Sequence, residues 1–227
     1  MNASSQRVDV ERLHAVARDL RGVHRDSPKE EWPGERHVAH GGDHAEATQN
    51  PCALSFALLA YGMAWGEEEP LRALDALRRG LAIAQESGNR ANETYLAMTL
   101  AMTMARTEAE PGDPLAALDN ITLAIRHYHD AGNTAQIRAA LGLLAMFLDR
   151  HEYSAAAAII ASFACIAPTA APMVSEFHTT VAHLREVLGD QTYESLVHKG
   201  EAMTMAAVVA YAYDQMDRVR RQLNQPG

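Results

Sequence analysis

Eleven histidines beside only two cysteines first raise the question of metal chemistry. His37, His40 and His44 fall at offsets that a helix would gather around one Zn2+, and Asp43 adjoins the last of them. Gly41-Gly42 interrupts that helix, so the segment reads as a solvated loop. His127 and His129 stand two apart and point to different faces of a helix, while His178 and His183 stand five apart. "HEYSA" from His151 opens like a zinc-protease helix, but Ala155 occupies the place of the second histidine. No metal ligand set is assigned, and no cofactor is expected.

Nucleotide and acyl chemistry find no better footing. A P-loop sets Gly-Lys-Ser/Thr at the end of a glycine-rich turn so that backbone N–H groups and lysine hold phosphates. The only lysines are Lys29, after Pro28, and Lys199, after His198. No G-x-S-x-G elbow occurs. The carboxylates of "GEEEP" (Glu67–Glu69) and "EAEPGD" precede helical patterns, where negative charge favours the positive end of the helix dipole. No catalytic residue is assigned, and the chain is expected not to be an enzyme.

Composition narrows the class. Of 227 residues, 48% are apolar and only 6% aromatic, so the core must be aliphatic. Ala, Leu, Met and Arg favour helix, which points to an all-α chain. The formal charge of −9 argues against a nucleic-acid partner. Arg218, Arg220 and Arg221 read instead as compensation of a helix dipole at its C-terminal end. Cys52 and Cys165 sit among apolar residues and are expected to be buried thiols in a reducing compartment. "MNASSQRVDVERLH" has no apolar core after a basic start, and Pro168 and Pro172 break the longest weakly polar run. No signal peptide and no membrane association are expected, and the location expected is cytoplasmic.

Local punctuation then sets the elements. Leu13, Val16, Leu20 and Val23 mark one helical face, followed by a Pro- and Gly-rich stretch, so residues 1–49 read as an N-terminal helix and flexible linker. Asn50-Pro51 and Asp113-Pro114 each supply a capping side chain and then Pro at the first helical position; Glu69-Pro70 is a weaker version. Gly88-Asn89 and Gly132-Asn133 supply a left-handed glycine to end one helix and an asparagine to cap the next. Helices are expected over about 51–65, 70–87, 91–107, 114–131, 134–149, 153–166, 173–188, 191–199 and 203–223.

Two of these segments are spelled alike. "PLRALDALRRGLAIAQESGN" from Pro70 returns 44 residues later as "PLAALDNITLAIRHYHDAGN" from Pro114. Without gaps, Pro70–Met102 and Pro114–Met146 agree at 11 of 33 positions, caps and core positions together. Leu74, Leu77 and Leu81 line one face of the first copy; Leu118, Ile121 and Ile125 line the same face of the second. A helix pair cannot bury its apolar face alone, so repeated pairs are expected to stack as a right-handed α-solenoid over 50–168, with a C-terminal helical element over 169–227 packed on the last repeat. In such stacks the first helices of the pairs line a concave groove. Polar and aromatic side chains on outward faces are its candidates for ligand contact, here Trp65, Asn92, Tyr95, Thr99, Arg106 and Arg138. Met98, Met102, Met104, Met146, Met203 and Met205 read as core filling or as a soft binding face. An uncapped last layer leaves apolar surface through which a homodimer could form.

"NPCALSFALLAYGMAW", "PLRALDALRRGLAIAQESGNR" and the ending "HLREVLGDQTYESLVHKGEAMTMAAVVAYAYDQ" together resemble the tetratricopeptide-like helical region of large actinobacterial signalling ATPases. Those proteins join an adenylate-cyclase-like or LuxR-type helix-turn-helix domain to an ATPase module and a helical-repeat tail. The ending is similar to their terminal element at Leu188, Gly189, Asp190, Tyr193, Gly200, Ala202, Met203 and Thr204. The resemblance spans about residues 45–220 and implies a regulatory tail with no catalytic residue of its own. The expected function is a non-enzymatic protein-interaction module in bacterial signalling or transcriptional control. A small-molecule or peptide sensor relaying to an effector domain outside this chain is the alternative.

Overall fold

A computed structural model describes residues 50–66, 68–106, 113–164 and 171–224. The N-terminal helix and linker expected over 1–49, the His37/His40/His44 cluster, Glu67 and Cys165 lie outside them. Among the described residues every regular element is a helix. The helices are α1 (Pro51–Trp65), α2 (Pro70–Glu86), α3 (Arg90–Arg106), α4 (Pro114–Asp130), α5 (Thr134–Arg150), α6 (Ser154–Ala161), α7 (Ala171–Leu188), α8 (Asp190–Glu201) and α9 (Met205–Leu223). The chain divides into two compact units, one ending at Glu110 and the other beginning at Pro111.

The repeat is visible in the helix bounds themselves. Adding 44 to both ends of α2 and α3 gives both ends of α4 and α5. The same turn joins each pair. Gly88 (φ +68) and Gly132 (φ +65) take the left-handed conformation that a side chain disfavours. Gly88 N–H donates to the Gln85 carbonyl (3.1 Å) and Asn89 N–H to that of Ala84 (2.8 Å); Gly132 and Asn133 repeat this on His129 (3.0 Å) and Tyr128 (2.9 Å). This is the two-bond Schellman cap, which satisfies carbonyls left open at a helix end. Each asparagine then caps the following helix, Asn89 Oδ1 accepting from Asn92 N–H (3.2 Å) and Asn133 Oδ1 from Gln136 N–H (3.3 Å).

A third turn of the same kind follows α5. Glu152 N–H donates to the Asp149 carbonyl (3.1 Å) and Tyr153 N–H to that of Leu148 (2.9 Å). Here the left-handed position is held by Glu152 (φ +67), a side chain where the other turns have glycine. At the helix starts, Asn50 accepts from Cys52 and Ala53 N–H, and Asp113 from Leu115 and Ala116 N–H, whereas Glu69 makes no side-chain cap bond.

In the first unit α1 packs on α2 and α3, and α2 packs on α3. Gly62 lets α1 approach so closely that a Cβ there would overlap Leu77. Leu59, Leu77 and Leu96 are buried at the centre. In the second unit α4 and α5 form a hairpin, and α5 also meets α6 and α7. Leu118, Ile121, Ile125, Leu141, Leu144 and Leu148 fill its core. α6 is buried from Ala156 to Ala161 beneath α5, α7, α8 and α9. Its end comes earlier than the expected 166, because Phe163 and Ala164 N–H close tight bonds on Ile160 and Ala161.

The terminal motif has a local physical meaning. Gly189 (φ +76) donates to the Arg185 carbonyl (2.9 Å) and closes α7. Arg185 lies over the buried Tyr193 ring, 4.4 Å from its centre, and pairs with Glu194 (2.6 Å) and Asp190 (3.3 Å). Gly200 seats α8 on α6 so closely that any Cβ would meet Ser162 Oγ and the Ile159 carbonyl oxygen. Thr204 caps α9 by accepting from Ala207 N–H (3.2 Å).

Cys52 corrects the expectation of a buried thiol. It is exposed in the first turn of α1, ahead of the buried stripe that begins at Ser55. Its sulfur accepts from Asn89 Nδ2 at 3.1 Å. No described helix is long and apolar enough to cross a membrane.

Candidate functional site

The six groove candidates do not share one setting. Trp65 is buried with Ala64 and Ala73, and Tyr61 packs against that cluster. Asn92 is also buried, donating from Nδ2 to Ser55 Oγ (2.8 Å) and to the Cys52 carbonyl (3.3 Å), which ties α3 to α1. Tyr95 and Thr99 are half-buried on α3. Arg138 is exposed on α5, in the other unit, and the Arg106 side chain lies outside the described residues. Asn92, Tyr95, Thr99 and Arg138 thus belong to the second helices of their hairpins rather than the first.

α3 does gather two of them into a surface. Tyr95, Met98, Thr99 and Met102 follow one another at helical spacing and are all half-buried. The opposite stripe, Leu96, Ala97, Leu100, Ala101 and Met104, is buried in the core. The Thr103 hydroxyl folds back onto the Thr99 carbonyl (2.9 Å), which satisfies it locally. What remains on the Tyr95–Met102 face is an aromatic ring, a hydroxyl and two thioethers. Methionine adapts its shape without large strain, so such a face can mould to an apolar partner.

The exposed face of α2 contrasts with it. Arg72, Asp75, Arg78 and Glu86 are exposed, and Arg72 pairs with Glu69 (3.0 Å) and Arg78 with Asp75 (3.5 Å). Exposed pairs of this kind add little stability and keep a face hydrated.

One polar pair was illegible in the sequence. Asp149 on α5 is buried and accepts from His183 Nδ1 on α7, at 2.9 Å to Oδ2 and 3.1 Å to Oδ1. The His183 side chain is 52% exposed, so the pair reaches solvent from one side only. Nothing local marks two residues 34 positions apart as partners. Nearby, the His151 ring packs on Phe147 with centres 4.4 Å apart. Burial, then the charge of Arg150, lowers the His151 pKa below its ordinary 6.5.

Among the described residues, no group of three or more His, Cys, Asp or Glu is disposed to hold a metal ion. Compared with protein-family models, with curated proteins and with solved structures, the chain matches none.

Proposed function

We propose that this chain is a non-enzymatic, tetratricopeptide-like helical-repeat module that binds a protein partner through the face of α3, within bacterial signalling or transcriptional control. The observation that carries the reading is the Tyr95–Met98–Thr99–Met102 face, half-buried along one side of a helix whose other side is locked in the core. Aromatic and methionine side chains are enriched where proteins meet, and a rigid helix presents them at little entropic cost. The doubled hairpin supports that rigidity: the same capped turn, Gly88-Asn89 and Gly132-Asn133, ties the second helix of each pair to the first. The resemblance to regulator tails supplies the cellular setting.

A photo-crosslinking residue placed at Met98, and in a second preparation at Arg78 on the hydrated face of α2, tests the reading in living cells. The expected result is a discrete protein adduct from position 98 and none from position 78. Equal labelling from both positions, or none from position 98, contradicts it. A small molecule that raises the melting temperature while position 98 stays unlabelled would favour a sensor instead.

A further inference from the structure

The last helix turns back onto the first helix of its unit, and the contacts keep one register. Arg220 on α9 donates to Asp119 on α4 at 2.7 Å. The Met216 sulfur lies 3.2 Å from the Thr122 hydroxyl, whose shorter bond is to the Leu118 carbonyl within α4 (2.7 Å). Tyr213 lies near enough to Arg126 and Asp130 for both charges to act on its phenol. As α9 is followed backward from 220 to 216 to 213, α4 runs forward from 119 to 122 to 126. The two helices are therefore antiparallel, and α4 offers α9 a polar stripe at i, i+3 and i+7.

This seat differs from the contact of α4 with α5. There, Ile121, Ile125, Leu141 and Leu144 are sealed from water. Against α9, α4 presents a carboxylate, a hydroxyl and a guanidinium, all groups that water can satisfy once the helices part. The buried stripe of α9 itself is mixed: Val208, Val209, Ala212, Met216 and Val219, with Gln215 among them at 4% exposure. Tyr153, ahead of α6, bonds Gln222 near the end of α9. α9 also carries its own N-terminal cap at Thr204, so it can leave as an intact helix.

We infer that the Asp119–Thr122–Arg126 stripe of α4 is a helix-docking site that α9 fills in cis, and that its partner in trans is an amphipathic helix built on the α9 pattern. That pattern is a phenol, a methionine three residues on and an arginine four residues beyond it. The arginine faces a carboxylate and the phenol faces a guanidinium, so the site selects both the charge and the direction of the incoming helix. The α3 face lies in the other unit, and this inference stands without it.

Full-length Arg220→Glu supplies the test. The change sets two carboxylates against each other at Asp119, loosens α9 and leaves α4 untouched. A fluorescent peptide of residues 204–224 is titrated into this variant and into the full-length wild type. The peptide is expected to bind the variant at least tenfold more tightly, while a peptide carrying the same Arg220→Glu change binds neither. Equal affinities, or no binding to a folded variant, overturn the inference. If Arg220→Glu melts the whole chain, hydrogen exchange on the wild type decides. Amides of Val208–Val219 exchanging at least tenfold faster than those of Leu141–Leu148 support a detachable α9; exchange of both in one opening overturns it.

Discussion

Asp149 joins two helices of the second unit through one hydrogen-bonded pair. Its carboxylate is buried on α5, and the partner seen across to α7 is His183 Nδ1. Removing that donor leaves a buried acceptor with its desolvation uncompensated. His183→Ala should cost about 1 to 3 kcal/mol in urea unfolding. A change within about 0.5 kcal/mol, the range of ordinary surface substitutions, would refute the role given to the pair. His151 makes a different prediction. Burial and then Arg150 hold its pKa below 6.5, so the unfolded chain takes up a proton before the folded one does. Stability is then complete above the unfolded value and falls as pH drops through it towards the folded value. Melting temperatures at about pH 7.5 and about pH 5.5 should differ less for His151→Asn than for the wild type, because that share of the fall is removed. Cap residues such as Asn50, Asn89 and Asp113 were legible beforehand, since their chemistry is confined to a few neighbouring N–H groups. The Asp149–His183 pair was not, and the exposure of Cys52 was missed because apolar neighbours in sequence say nothing about a first-turn position.

At the scale of elements, the repeated turn is the feature that sequence and structure share most fully. Gly88, Gly132 and Glu152 occupy the same left-handed position in three Schellman caps, and only the last has a side chain there. A non-glycine residue in that conformation costs roughly 1–2 kcal/mol, against about 0.5–1 kcal/mol for the extra freedom of an unfolded glycine. Glu152→Gly is thus expected to stabilise the chain by about 0.5 to 1 kcal/mol. The reverse change, Gly132→Ala, is expected to destabilise it by about 1 kcal/mol, both read from denaturant midpoints at constant slope. A destabilised Glu152→Gly would mean that its side chain matters more than its backbone. The starts of α1 to α5 were readable from Asn50-Pro51, Glu69-Pro70, Gly88-Asn89, Asp113-Pro114 and Gly132-Asn133. The early end of α6 was not, because Ser162, Phe163 and Ala164 include no proline or glycine to mark where the tight-turn bonds end it.

For the whole molecule, the period of 44 residues told which segments are alike but not what each of them packs against. The structure divides the chain between α3 and α4, and within the second unit α9 returns to α4. That return depends on contacts about 100 residues apart, such as Arg220 with Asp119, which no local pattern encodes. Of the candidate surface, Tyr95 and Thr99 were named from residue type. Their assembly with Met98 and Met102 follows only from knowing which side of α3 faces the core. The central claim is that the α3 face recognises another protein. The most direct measurement is the native size of the tagged chain in extracts of its own cells, wild type against Thr99→Arg. Arginine at the middle of that face leaves the buried stripe intact and introduces a hydrated charge where apolar contact is needed. The account predicts a wild-type assembly larger than the isolated chain, lost in Thr99→Arg while purified Thr99→Arg still melts as the wild type does. An assembly unchanged by the substitution, or a wild-type chain that runs alone, contradicts it.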